Sequence, residues 1–304
     1  MVETKSENKT VLLTVDVEDW FQVENLRPHF PFATWSRHEL RVEGNTHRLL
    51  DLFDACAAER GAPVRATFFV LGWVAERLPQ LVREIVARGH EVASHGYGHV
   101  MCHELSAEQL RDDLTFSKQL LEDIAGVAVT GYRAPSFSVG DAVLRIIGEC
   151  GYRYDSSFNS FALNKRYGQL DLASSRRQQI ALHFSEGAVE LPISNYRLGS
   201  RDFPLGGGGY FRLLPLPLFL AGVRRLLERD RAYLFYMHPW EIDPGQPRVT
   251  SVPALSRFRH YVNLARTESK LRRLVQAFSG CRFATCGDYL DGLSGLASAG
   301  GTNG

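Results

Sequence analysis

The residues best suited to chemistry stand at the end of a short apolar run. Val11-Leu12-Leu13-Thr14-Val15 reads as a buried strand, and it runs into Asp16, Glu18 and Asp19. Carboxylates this close repel one another, and each is costly to bury without a partner. A solvated strand end or a helix cap would tolerate the cluster. A site that uses several carboxylates together would need a cation or a proton among them. His95 and His99, four apart in "SHGYGH", follow another short strand. Two imidazoles and one carboxylate form a recurring divalent-metal set that leaves positions open for water and substrate. Alone the histidine pair is a weak signal, because such spacing is common on surfaces and in cores. His103, four residues further on, reads as a histidine near a helix start.

Three more polar groups end strand-like runs. Arg133 in "GYRAPSF" precedes a turn set by Pro135, and it suits either a surface ion pair or a buried cation that orients a carboxylate. Asp155 stands in "YRYDSS". His238 in "LFYMHPWE" is delivered by the apolar run Tyr233–Met237 and followed by Pro239. A histidine at the tip of a buried strand suits a general acid or base. In parallel α/β folds and barrels, active sites gather at the C-terminal ends of strands. The acid cluster, His95, Arg133, Asp155 and His238 together argue for one site better than any of them alone.

Strand-like and helix-like segments alternate, as positioning such a site requires. Helical spacing runs over residues 46–60 and 79–88, each closed by a glycine, and strands are predicted at 66–71 and 91–93. Ser106 and Gln109 form a capping box that opens a helix to Ala125. A strand is predicted over 127–132, then a helix over 141–150. Short links between alternating elements predict a mostly parallel sheet or a barrel. From about residue 156 the rhythm weakens, and Gly206–Gly209 demand unusual backbone angles or close approach to a ligand. Helix and strand return over 217–229 and 232–237, and again over 268–278 and 282–285. The expected organisation is one domain over 11–290, decorated over 156–290, between disordered ends at 1–10 and 291–304.

Composition excludes several classes. The 304 residues are 44% hydrophobic, enough for a large core, and carry 35 basic against 34 acidic residues. No basic stripe suggests nucleic acid. No apolar run approaches the roughly 18 residues of a membrane span. The start at Met1–Lys9 is polar, and five scattered cysteines lack metal or disulfide spacing. Both features predict a cytoplasmic protein, compatible with a homo-oligomer.

In order, "TVDVED", "HGYGH", "RAPSF", "DSS" and "YMHPWE" resemble the motifs of the polysaccharide deacetylases of carbohydrate esterase family 4 over residues 11–290. "DVEDWF", "GGGGYFR" and "HPWEIDP" look like the subgroup from bacterial exopolysaccharide loci associated with exosortase sorting. The resemblance implies an α/β fold, a distorted (β/α) barrel. It implies removal of N-acetyl groups from an amino-sugar polymer or its precursor, with zinc or another divalent ion. It aligns Asp16 with the catalytic base, His95 and His99 with the metal histidines, and Arg133 with the residue that positions the base. His238 aligns with the catalytic acid, and Asp155 lies where a carboxylate could support it. Typical members have two adjacent aspartates in the first motif. Val17 intervenes here, so Glu18 or Asp19 is the metal carboxylate. Strand alternation favours Glu18, and the usual ligand type favours Asp19. Trp20, Tyr97, Pro135, Phe137 and Trp240 are candidates for substrate contact, with Phe21 and Tyr210 as further rings that could stack on sugars or serve as core. Two rival readings remain: a hydrolase of small cyclic or linear amides, allantoinase-like, and a non-catalytic carbohydrate-binding protein on the same fold.

Overall fold

The computed structural model describes residues 9–161, 167–199 and 201–299. The ends expected to be disordered lie partly outside them, at 1–8 and 300–304. The first half contains β1 (Thr10–Val17), α1 (Val42–Arg60), β2 (Ala66–Val70), α2 (Gly72–Arg77), α3 (Pro79–Ala87) and β3 (Glu91–Ser94). It continues with α4 (Ala107–Ala125), β4 (Gly131–Tyr132), α5 (Asp141–Glu149) and β5 (Tyr154–Asp155). The second half adds β6 (Arg176–Gln178), β7 (Ala181–His183), β8 (Val189–Glu190), β9 (Asn195–Leu198) and β10 (Arg201–Pro204). It ends with α6 (Gly208–Leu213), α7 (Leu216–Asp230), β11 (Ala232–Met237), α8 (Ala254–Tyr261), α9 (Leu264–Ala277), β12 (Arg282–Phe283) and α10 (Cys286–Ala299).

The main sheet has the order β11-β1-β2-β3-β4-β5-β8-β7-β6, with β12 paired to the start of β1. Pairs from β11 to β8 are parallel, and β8-β7-β6 are antiparallel. The sheet curls until the chain after β8 meets β11. Ser194 Oγ accepts from Leu234 N at 2.9 Å there. The result is a mixed α/β fold on a curled half-barrel.

Period-two alternation divides each strand between two apolar layers. Val11, Leu13, Val15 and Val17 of β1 face the outer layer with Tyr233, Phe235 and Met237 of β11, against α1, α3, α4, α7 and α9. Leu12, Phe69, Ala93, Tyr154, Leu191 and Leu234 fill the inside of the curl. Parallel register carries this parity from strand to strand. Asp16 pairs with Phe69 and Phe69 with Ala93, so Asp16 faces inward. Ser94, Tyr132, Asp155 and Glu190 also pair in sequence, and Tyr132 belongs to the outer layer.

Three local outcomes differ from the sequence reading. The strand expected over 127–132 is only Gly131–Tyr132. Its first residues find other partners, since Val129 N donates to Glu122 Oε1 and Val129 O accepts from Lys118 Nζ, both from α4. The small-residue stretch after 290 is helical to Ala299, because Tyr289, Leu290 and Leu293 of α10 bury against the inside of the curl. The glycine run at 206–209 meets protein. Gly206 O accepts from Tyr236 N at 2.7 Å, and a Cβ on Gly207 would lie 2.6 Å from the Tyr236 ring. The capping box is present, with Gln109 N donating to Ser106 Oγ and Ser106 N to Gln109 Oε1.

Gly131 shows how tightly the inside is filled. A Cβ there would lie 2.1 Å from Cζ of Tyr154, a fully buried ring whose hydroxyl donates to Glu91. Gly131→Ala is expected to lower the urea midpoint, with a loss of about 1–3 kcal/mol. An unchanged midpoint would show that the ring can move aside freely.

Candidate active site

Inward parity and strand ends bring the polar groups to one mouth of the half-barrel. Arg133, just past β4, is fully buried. It donates from Nη1 to Asp16 Oδ1 at 2.6 Å and to Thr14 Oγ1 at 2.8 Å. Nε and Nη2 donate to the carbonyl and hydroxyl of Ser156, both at 2.8 Å. Its guanidinium lies 4.0 Å from the centre of the Phe69 ring. The fork therefore joins β1, β2, β4 and the end of β5, and it neutralises one of the three acids. The next turn is strained, with Ser136 at φ 53° and Phe137 at φ 59°.

Glu18, His95 and His99 make a second group, with their ligand atoms within 4.8 Å of one another. Glu18 Oε1 lies 3.0 Å from His95 Nε2 and 3.1 Å from His99 Nε2. The histidines are on a loop, not a helix. Gly96 at φ 71° and His99 at φ 55° turn the chain back on itself, leaving the rings 5.4 Å apart. His95 Nδ1 sits 2.7 Å from Arg133 O. A carbonyl only accepts, so Nδ1 holds the proton. Nε2 of the neutral ring then points a lone pair at a carboxylate, which is repulsive unless a proton or a cation intervenes. Two imidazole nitrogens and one carboxylate oxygen suit a divalent ion, and this arrangement fits one. Burial raises the pKa of Glu18, but His99, His238 and His95 outweigh it and hold the carboxyl well below its usual range. The same contact raises His99 against the effect of burial.

His238 faces both groups, with Nε2 3.9 Å from Asp16 Oδ2 and 3.7 Å from Glu18 Oε1. Its Nδ1 lies 3.0 Å from Glu241 Oε1. Burial lowers its pKa, yet Glu18, Glu241 and Asp16 together push it up to about 9. Glu241 is held in turn by the buried Arg212, whose Nε donates to Glu241 Oε2 at 2.7 Å. Gly208 makes room for this pair, since a Cβ there would lie 2.2 Å from Glu241 Oε1.

Two sequence expectations need correction. Asp19 is not with the histidines. Alternation turns it away from Asp16 and Glu18, and it accepts from Trp20 N, Arg41 N and Val42 N at 2.7–2.9 Å, capping the start of α1. Burial pushes its carboxyl up to about 6 against those donors. Asp155 does not support His238. It lies on the outer face of β5 beside Glu190 of β8, and accepts from Ser157 Oγ at 2.6 Å. Glu241 takes the expected role. Its sequence signal was its position three residues after His238, with Pro239 between, and Arg212 stands within the quoted "GGGGYFR".

The candidate substrate contacts separate. Trp20 packs in the core against Phe21 and Phe30. Tyr97 donates to Glu76 and packs on Phe116. Pro135 is buried in its turn, and Phe137 packs on Tyr236 and Tyr167. Of the five, among the described residues, only Trp240 lines the cavity of about 230 Å³ at His238.

Comparison with known proteins bears on the family and the fold. Residues 4–154 match the model of the polysaccharide deacetylase family, and residues 156–291 match a domain of unknown function, DUF3473. Through its first half the chain belongs to the polysaccharide deacetylase family. It is 32% identical over 108 residues to a peptidoglycan-N-acetylglucosamine deacetylase of Bacillus cereus, covering 36% of this chain and 47% of that protein. It is 36% identical over 92 residues to a peptidoglycan deacetylase of Helicobacter pylori, covering 30% and 31%. The matches thus span a third to a half of these relatives' length. A candidate polysaccharide deacetylase from Mycobacterium smegmatis shares the fold at TM-score 0.60 and 20% identity, covering 98% of this chain and 94% of that one. The Puue allantoinase shares it at TM-score 0.54 and 14% identity, covering 94% and 90%.

The Asp155–Glu190 pair gives a test on stability. Burial pushes both carboxyls up, and Asp155 adds to the rise of Glu190. A raised folded value supports the fold at low pH, and that support is lost as pH rises from the ordinary glutamate range toward the raised one. Glu190→Gln removes the penalty. Its thermal midpoint relative to the parent is expected to rise as pH increases above the ordinary glutamate range. A difference that stays flat or falls would show Glu190 ionised in the fold.

Proposed function

We propose that this protein hydrolyses N-acetyl groups from amino sugars of a polysaccharide or its precursor, giving acetate and a free amine. The observation that carries this reading is the meeting of Glu18, His95 and His99 with the Asp16–Arg133 pair around His238, which itself lines the cavity. Glu18, His95 and His99 would hold a divalent ion, zinc in our reading, which polarises a carbonyl and lowers the pKa of water toward ~7. Asp16 presents Oδ2 on the His238 side while Oδ1 is engaged by Arg133. It accepts the proton of the attacking water as the water oxygen bonds to the carbonyl carbon, and the C–N bond breaks as the leaving nitrogen is protonated. His238, with Nδ1 held by Glu241, donates its Nε2 proton to the leaving nitrogen.

The setting we propose is exopolysaccharide biosynthesis, supported by "DVEDWF", "GGGGYFR" and "HPWEIDP". Five cysteines scattered along the sequence without close spacing support a reducing, cytoplasmic location. Among the described residues, no helix is long and apolar enough to cross a membrane. We further propose that both halves act as one domain, supported by an outer apolar layer that draws on α1 to α5 and α7 and α9 alike.

Acetate release from N-acetylglucosamine oligomers and metal content of the purified protein test the proposal together. His95→Ala is expected to lose bound metal and activity, and His238→Ala to lose ~10²–10⁴-fold in rate while retaining metal. A His95→Ala variant with parental metal and rate refutes the metal site. Release of ammonia from small cyclic amides, with no acetate from oligomers, would favour the amide hydrolase.

A further inference from the structure

From His238 the cavity continues outward into a groove of about 490 Å³, and the two share Asn25, Phe161, Tyr167, Gly209, Tyr210 and Arg259. Every residue lining the groove except Asn25 comes from residues 156–291, the part matching a domain of unknown function. We infer that this part of the chain builds an outer subsite that binds the sugar residues flanking the one deacetylated at His238. The inference rests on the deacetylase reading above and assigns its polymer-binding role to the second half.

Three observations carry it. First, the groove is aromatic and open. Phe161 and Tyr210 meet edge to face at 5.7 Å, and Tyr210 and Phe258 are 36% and 53% exposed. Exposed rings beside a catalytic cavity offer flat apolar faces to the C–H faces of sugar rings. Second, the inner cavity is lined by two residues that each carry an unpaired polar atom. Among the described residues, Asn195 Oδ1 and Trp240 Nε1 have no hydrogen-bond partner, and their residues are 9% and 5% exposed. One is an acceptor and the other a donor, both shielded from water, so a hydroxyl-bearing ligand would have to reach them from the cavity to pair them. Third, Arg212 ties the groove to the chemistry. Besides Glu241, it donates to the carbonyls of Arg259, His260 and Val262 at 2.7–3.0 Å. The segment that carries Phe258 and the carboxylate behind His238 thus hang on one buried guanidinium.

The test compares kcat/KM for acetate release from the N-acetylglucosamine tetramer with that from the monomer. The parent is expected to prefer the tetramer. Phe258→Ala and Tyr210→Ala remove exposed rings that the core does not need. Each is expected to reduce the tetramer-to-monomer ratio by about 3–10-fold. A parent that releases acetate equally from monomer and tetramer, or variants with the parental ratio, would overturn the subsite and leave the deacetylase reading standing. If no sugar releases acetate, the deacetylase reading fails, and calorimetric binding of the tetramer to parent and Phe258→Ala decides the subsite separately. Weaker binding by the variant supports it, and no binding by the parent overturns it. A preference only for a lipid-linked monomer would overturn the sugar occupant.

Discussion

The site depends on one buried ion pair. Arg133 and Asp16 are 0% and 2% exposed, and each would be prohibitively costly to bury alone. Removing one partner of such a pair typically costs ~3–5 kcal/mol, because the other charge is left uncompensated. Arg133 also bonds Thr14 and Ser156, so the guanidinium brings together strands that are remote in the chain. Its carbonyl accepts from His95 Nδ1, which sets the tautomer of that ring. One residue therefore orients a carboxylate through its side chain and a metal-type histidine through its backbone.

A second buried pair repeats the device on the other side of His238. Arg212 holds Glu241, and Glu241 holds His238. Both elements of this pair come from residues 156–291, whereas Asp16, Glu18, His95, His99 and Arg133 come from residues 4–154. His238 itself belongs to the second part. His238 and Asp16 thus meet across the β1–β11 pairing, which aligns Val15 with Met237 and sets their spacing. The unusual glycine run follows from this arrangement. Gly207 and Gly208 lie against Tyr236 and Glu241, where any side chain would collide.

Much of this was legible in the chain. Period-two alternation by itself put Asp16 and Glu18 on one face and Asp19 on the other, because strand parity is a local property. The apolar run 232–237 read correctly as a strand for the same reason, with β11 covering those residues. Glycines after helices and the Ser106–Gln109 box marked ends and starts through local backbone chemistry. Asp155 was misread although its parity was equally local. Only the register through Tyr132 and Glu190 reveals that its face is the outer one. The α10 helix was missed because its burial depends on Tyr289, Leu290 and Leu293 meeting a surface built from remote strands.

By itself, then, the sequence determined which residue types stand at the strand ends and on which side of each strand they project, since covalent geometry and alternation act within a few residues. Tertiary structure alone decided which of those sides enclose the site. It chose Glu18 for the histidines because Asp19 is captured by the start of α1. It gave His238 to Glu241 and sent Asp155 to Glu190, because the sheet curls and only inward faces converge.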